Sequence, residues 1–351
     1  MLKKRIIVCD YDNPNGYTFP SFGFGSSEKR IWHFAKTVSE LENFEVIITG
    51  PLWLPEYVPN AKHFKKRLDI NSYKEFISIY GKCDYLFAGH EYFDKDIWTE
   101  PFSCCANILL SYQLHPYKYK KISFNAKDKF LFCYSDEMVE MYKEQSPIKA
   151  LLFHSGVGEQ PFFTENPGDY LLWIGRLDRD KAPHYAVLAA NILNKRIKIL
   201  GKSVYQPEYF DEYKDIFSMS HVEMLGVVSG DEKMKLISEA QCALYTIDKN
   251  YSEAGAGVLG EIISSGVPLA GITWTKGGAI CEALDSNLLG KVTNLGLNTK
   301  EKDIPKILSE NILYCLSLDR KKVFEAGSQK YDPKKLVKKL FSLVEERSGR
   351  H

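Results

Sequence analysis

The sequence predicts an α/β fold: two successive doubly wound parallel sheets in one chain of 351 residues. Three observations lead there. Short apolar runs alternate with helix-length segments, that alternation restarts at mid-chain, and the runs are apolar throughout rather than at every second residue. Continuous apolarity marks strands covered on both faces, as in parallel sheets between helices. A chain of this length holds about two domains at ~100–200 residues each.

In the first half, Ile6-Ile7-Val8-Cys9 is followed by a glycine-rich loop and a helical pattern near Lys29–Leu41. Glu45–Thr49, Asp84–Ala88, Asn107–Leu110 and Phe130–Cys133 continue the strands. The second half opens with Tyr170–Gly175, then a helix from about Pro183 to Leu193 and a strand at Ile197–Leu200. Val222–Leu225, Cys242–Tyr245 and Val267–Ala270 complete the series. The boundary is expected near Gln160–Gly168, which carries two prolines and an Asn-Pro step. That gives an N-terminal domain over 1–163 and a second over 164–330, with ligands expected at the carboxyl ends of the strands. A last helix runs from Asp332-Pro333 through Glu346, proline at its start and Leu336, Leu340 and Leu343 on one stripe.

Lys and Arg number 46 against 45 Asp and Glu, so the net charge of +1 excludes an overall polyanion binder. No zinc module or RNA-binding signature is present, and no nucleic-acid partner is expected. The apolar run at Ile6–Cys9 is shorter than a signal peptide's core of ~7–15 residues, and no stretch approaches the ~18 apolar residues of a membrane span. The eight cysteines form no Cys-x-x-Cys pair; most sit in apolar runs as small buried hydrophobes. A reduced, cytoplasmic protein is expected.

Two segments point to chemistry. Ser252-Glu253-Ala254-Gly255-Ala256-Gly257-Val258-Leu259-Gly260-Glu261 sets two carboxylates eight residues apart across small and apolar positions at a helix start. Small residues there let a ligand approach the backbone, and the N–H groups of a first turn favour phosphate. The bland alternative is a glycine-rich turn with two solvated carboxylates. Trp173-Ile174-Gly175-Arg176-Leu177-Asp178-Arg179-Asp180-Lys181-Ala182-Pro183 reads as strand, turn and helix start. An Arg fork at a strand end and a Lys five residues on suit the two phosphates of a nucleoside diphosphate, against the alternative of ordinary loop charges.

From about Tyr170 to Gly290 these pieces resemble the C-terminal half of retaining GT-B glycosyltransferases of family 4. Gly175-Arg176 and Lys181-Ala182 are similar to that family's Gly-Arg…Lys-Gly element, and Glu253 and Glu261 to its Glu-x7-Glu signature. Glu261-Ile262-Ile263-Ser264-Ser265-Gly266-Val267-Pro268, Gly277-Gly278 with Glu282, and Leu289-Gly290 follow at the family's spacing. In the first half, Gly23-Phe24-Gly25-Ser26-Ser27-Glu28 looks like the glycine loop after the first strand, and Ser155-Gly156-Val157 with Phe162 or Phe163 like the interdomain linker strand. His115 stands in the place of the family's active-site histidine, with His90 as its competitor. Two departures stand out: Gly255 replaces a bulky aromatic after the first Glu, and Ala182 replaces the glycine after Lys181.

The resemblance implies two Rossmann-like domains facing across a cleft, with residues 331–351 crossing back as a helix onto the first domain. It implies sugar transfer from a nucleotide-diphosphate sugar, UDP- or GDP-linked, to a hydroxyl of a glycan, lipid-linked or small-molecule acceptor, with retention and with no cofactor or metal. Arg176, Lys181, Gly25 and the amides of Gly257, Val258 and Leu259 would bind the diphosphate, and Glu261 the ribose. Glu253, Gly255 and Ala256 would face the sugar, and Glu253 and His115 would be the catalytic pair. Front-face attack and double displacement both stay open. Competing readings are a GT-B sugar-nucleotide epimerase, a noncatalytic sugar-nucleotide-binding protein and, more remotely, a nicotinamide-dependent dehydrogenase, which lacks its Gly-x-Gly-x-x-Gly. The basic runs Lys62-x-x-Lys65-Lys66-Arg67 and Lys118-x-Lys120-Lys121 read as solvated surface or, alternatively, as a patch meeting an anionic membrane.

Overall fold

The computed structural model describes residues 3–9, 26–51, 55–69, 71–89, 105–111, 128–143, 147–149, 161–203, 206–251, 253, 255 and 257–349. The chain divides into two compact units: Met1–Phe153 with Asp332–His351, and His154–Tyr331.

The first unit holds strands β1 (Lys4–Cys9), β2 (Phe44–Thr49), β3 (Lys62–Phe64), β4 (Cys83–Gly89), β5 (Cys105–Ser111), β6 (Asp128–Cys133) and β7 (Pro147–Lys149). They form one parallel sheet in the order β3-β2-β1-β4-β5-β6-β7. Ile6, Ile7, Val8 and Cys9 are fully buried, as a strand packed on both faces requires. Helices α1 (Ser26–Ser39), α2 (Tyr73–Tyr80) and α3 (Asp136–Met141) connect them. Helix α1 buries Ile31, Trp32, Phe34, Ala35 and Val38, a helical spacing, and Phe34 stacks on Phe87 of β4 at 3.8 Å. Strand β3 falls within the first basic run: Lys62 pairs with Glu45 and Lys66 with Glu75 at 2.6 Å, so these two charges are matched at the sheet edge.

The second unit alternates β8 (Tyr170–Ile174), α4 (Pro183–Ile192), β9 (Arg196–Leu200), α5 (Pro207–Glu212), α6 (Lys214–Phe217), β10 (Val222–Gly226), α7 (Gly230–Ser238), β11 (Cys242–Tyr245), α8 (Gly257–Ser264), β12 (Leu269–Thr273), α9 (Ala279–Ala283), β13 (Gly290–Asn294), α10 (Ile304–Leu316) and α11 (Arg320–Lys330). Its parallel sheet runs β10-β9-β8-β11-β12-β13. This is the doubly wound order, reversing between β8 and β11. Backbone closeness at the strand ends is set by Gly201, at φ 142°, where a Cβ would lie 1.8 Å from the Gly175 carbonyl oxygen. Gly327 does the same for helix packing, its missing Cβ admitting the Ile263 carbonyl of α8. Arg320 ties the unit together by donating to the carbonyls of Ala240 (2.6 Å), Ser238 (2.5 Å) and Thr164 (3.3 Å).

The last helix, α12 (Pro333–Arg347), is capped by Asp332, whose side chain accepts from the Lys335 amide at 3.0 Å. Its buried stripe is Leu336, Val337, Leu340, Phe341 and Val344; Leu343, expected on that stripe, is half-exposed. The reason is helical geometry: the 336–340–344 and 337–341 rows take the core, and 343 lies at their margin. Phe341 packs at 4.4 Å from Phe44 and 5.0 Å from Tyr85, within the first unit. Among the described residues no helix is long and apolar enough to cross a membrane.

Candidate functional site

In a doubly wound sheet, ligands bind outside the carboxyl ends of the strands where the order reverses. Here that place lies between β8 and β11, and two loops leave it. The β8 loop carries Gly175 to Ala182 and the β11 loop runs from Thr246 towards α8. They are tied together. Thr246 Oγ1 donates to the Lys181 carbonyl at 2.7 Å and accepts from Trp173 Nε1 at 3.0 Å, and the Asp248 amide donates to the Asp180 carbonyl at 2.9 Å. The β8 loop turns into α4 through Ala182 at φ 44°, a left-handed conformation a glycine would adopt freely, and Pro183 then fills the first helical position.

Charge gathers along this seam. Arg176 spreads its guanidinium over two carboxylates, with Nη1 2.6 Å from Asp178 Oδ2 and Nη2 3.2 Å from Asp180 Oδ2. Asp178 is fully buried and also accepts from the Lys181 amide at 3.1 Å; burial pushes its carboxyl up, and Arg176 opposes the shift. Lys181 Nζ contacts Glu253 Oε2, and Tyr245 Oη donates to the same oxygen at 3.4 Å. The Tyr251 ring lies 4.9 Å from Lys181 Nζ and 6.0 Å from Arg176 Cζ, a cation–π floor shared by both cations. Burial, and then the Arg176 guanidinium, pull the Lys181 ammonium down to about 7, against Asp178 and Asp180. Contact with the Glu253 carboxylate opposes that pull as well, by favouring the charged form.

Helix α8 begins at Gly257, so the amides of Gly257, Val258 and Leu259 belong to a first turn that has no carbonyl of its own helix to bond. Glu261 follows in the same helix and is held by a different cation: Lys233 Nζ of α7 lies 3.1 Å from its Oε1, and both side chains are at most 7% exposed. The structure therefore brings Arg176, Lys181 and Glu253 together around Tyr251 and pairs Glu261 separately. Gly255 is half-buried between Glu253 and α8. Gly25, His115, its competitor His90, and Ala256 lie outside the described residues.

Sequence reasoning missed Tyr245, Thr246, Tyr251 and Lys233, and missed Asp178 and Asp180 as partners. Asp178 and Asp180 were within reach: acids two and four residues after Arg176 on a tight turn are its natural counter-ions. Lys233 stands 28 residues before Glu261 with no spacing signal. Among the described residues no cluster of three or more His, Cys, Asp or Glu is disposed to hold a metal ion.

Neither a family profile nor a curated protein sequence matches the chain. Solved structures do. AviGT4, a glycosyltransferase involved in avilamycin A biosynthesis, superposes with a TM-score of 0.72 at 18% identity, over 100% of this chain and 99% of its own. HepE of Anabaena, solved with UDP, gives 0.64 at 11% identity over 98% and 100%. The lipopolysaccharide outer core galactosyltransferase WaaB gives 0.62 at 13% over 97% and 98%. The fold is GT-B. At such identities the likeness extends to two parallel-sheet Rossmann-like units over the full chain, and the reading of the site rests on its own residues.

Proposed function

We propose that the protein transfers a sugar from a nucleoside-diphosphate sugar to an acceptor hydroxyl, with retention at the anomeric carbon and without a metal. One observation carries this: two cations share one aromatic floor, and a carboxylate meets one of them, at the switch point of a doubly wound sheet beside a helix start. Breaking the anomeric C–O bond leaves negative charge on the diphosphate. Arg176, Lys181 and the amides of Gly257, Val258 and Leu259 oppose that charge where it develops. Glu253 takes hydroxyls of the sugar, Glu261 the ribose hydroxyls, and His115 a sugar hydroxyl or the acceptor. HepE has also been solved with UDP-glucose, which supports a uridine donor here.

The test is a panel of UDP- and GDP-sugars, followed by mass spectrometry for donor hydrolysis and for sugar transfer. Arg176→Ala and Lys181→Ala are each expected to lower turnover about 10²-fold or more, the scale of lost charge stabilisation in a transition state. Wild-type turnover in both variants refutes the diphosphate assignment. Release of an isomerised free sugar with no acceptor consumed points to an epimerase instead.

A further inference from the structure

We propose that Lys233 is a positioning residue that sets the ribose selectivity of the donor site by holding the Glu261 carboxylate; this rests on the reading of Glu261 as the ribose contact. Lys233 lies on the face of α7 that also buries Met234, Ile237 and Ser238, a place where an ammonium is expensive to desolvate. Its Nζ reaches 3.1 Å to Glu261 Oε1, and the two side chains are 7% and 5% exposed. Helix α8 has anchors besides this bond: Leu259, Ile262 and Ile263 bury its apolar face, and Gly327 of α11 lies against the Ile263 carbonyl. A buried ion pair adds little net stability compared with apolar packing of the same volume. What it does supply is a carboxylate held against a cation in a dry place and turned to one orientation. A vicinal diol asks for that from its acceptor, because two hydroxyl donors must both find anionic lone pairs at fixed positions.

The experiment compares binding of UDP and 2′-deoxy-UDP by calorimetry in the wild type, Lys233→Met, Lys233→Gln and Glu261→Gln, with thermal melting as the folding control. The wild type is expected to prefer UDP about 10- to 100-fold, the range for one hydrogen bond to a charged group. Lys233→Met is expected to cut that preference to about threefold or less, weakening UDP while leaving 2′-deoxy-UDP nearly unchanged. Lys233→Gln, which keeps a donor towards Glu261, decides the question if the Met variant does not fold, and is expected to lower the preference at least threefold. A folded Lys233 variant with the full wild-type preference overturns the proposal and leaves the lysine a strut between helices. A wild type that does not distinguish the two nucleotides removes the ribose role of Glu261 and this proposal with it. If Arg176→Ala still abolishes UDP binding in that case, the diphosphate reading stands.

Discussion

Glu253→Gln separates two roles that turnover measurements alone would merge. In the structure the Glu253 carboxylate contacts Lys181 Nζ, the group assigned to the leaving diphosphate. A nucleoside diphosphate arriving without a sugar must therefore compete with Glu253 for that ammonium. The side chains are 14% and 11% exposed, so screening by water is partial. Two unit charges about 4 Å apart at an effective dielectric near 20 interact by about 4 kcal/mol, and much of that is offset by desolvation of the pair. If about a third survives, ~1.4 kcal/mol separates the paired from the unpaired site, a factor of ten in affinity. Glu253→Gln keeps the shape and removes the charge. It is expected to tighten UDP binding about tenfold in calorimetry at pH 6.5 while sugar transfer falls by about 10² or more.

The sign of the pH dependence follows from Lys181. Its ammonium is already drawn down to about 7, so it is charged below that pH and lost above it. That balance of burial, Arg176, Asp178 and Asp180 is struck without Glu253, so in the Gln variant the ammonium still carries much of its charge at pH 6.5, and the gain in UDP affinity is expected to shrink between pH 6.5 and 8.5. UDP binding that is unchanged or weaker in Glu253→Gln at pH 6.5 refutes the competition, and Glu253 then faces the sugar only.

Three further predictions concern the frame around the site. His184, 7% exposed with Nδ1 2.6 Å from Tyr209 Oη, has its imidazole pulled down to about 4 by burial and then by Arg179. The unfolded value is near 6.5, so the folded state binds fewer protons; stability is complete above pH 6.5 and falls as pH drops towards 4. Urea unfolding at pH 7 and pH 4.5 is expected to differ by about 2–3 kcal/mol more in the wild type than in His184→Gln; equal differences would count against it. Arg320→Met leaves three carbonyls without their donor and is expected to cost about 2–4 kcal/mol in urea unfolding; a loss under 1 kcal/mol contradicts the tie. Thr246→Val removes the bonds to the Lys181 carbonyl and from Trp173 Nε1 at nearly constant volume. It is expected to lower kcat about tenfold with a loss of about 1–2 kcal/mol in stability, and an unchanged kcat shows that Lys181 is positioned without it.

What the sequence made legible follows from where its signals are physically strong. The core strands of both sheets were readable because a strand covered on both faces must be apolar throughout, as Tyr170–Trp173 and Ile6–Cys9 are. Strands β3, β7 and β13 were not read as strands: all three lie at sheet edges, where one side needs no apolar partner and charge is favoured against stray pairing, whereas the edge strand β10 was readable from its Val222–Leu225 run. Lys62 and His63 of β3 therefore read as part of a surface run, and the exposed Lys291 and half-exposed Val292 and Thr293 of β13 show no periodicity. Arg176, Lys181 and Glu253 were legible because they sit in short loops next to recognisable strand and helix ends. Their partners were less so. Tyr251 meets the cations only through the fold, and Lys233 reaches Glu261 across two helices that no local pattern connects. Ala182 shows the reverse case: the departure from glycine was visible in the sequence, while the left-handed backbone that gives it meaning is a property of the folded turn.

The burial of these charges also decides which pair can open. Cations half withdrawn from water cannot stand unpaired before a ligand arrives, and each is matched by a carboxylate of the chain itself. Asp178 cannot leave Arg176 cheaply: it is fully buried and bonded to the Lys181 amide as well. Glu261 sits within a helix and beneath Lys233, so its backbone is fixed. Glu253 differs on both counts. It precedes the start of α8, in a segment with Gly255 and Gly257 close by, and its carboxylate meets Lys181 and Tyr245. On the proposed donor reading, exchange of an internal carboxylate for a diphosphate would therefore fall at Lys181, which is why a one-atom change at Glu253, rather than at Asp178 or Glu261, is expected to raise nucleotide affinity.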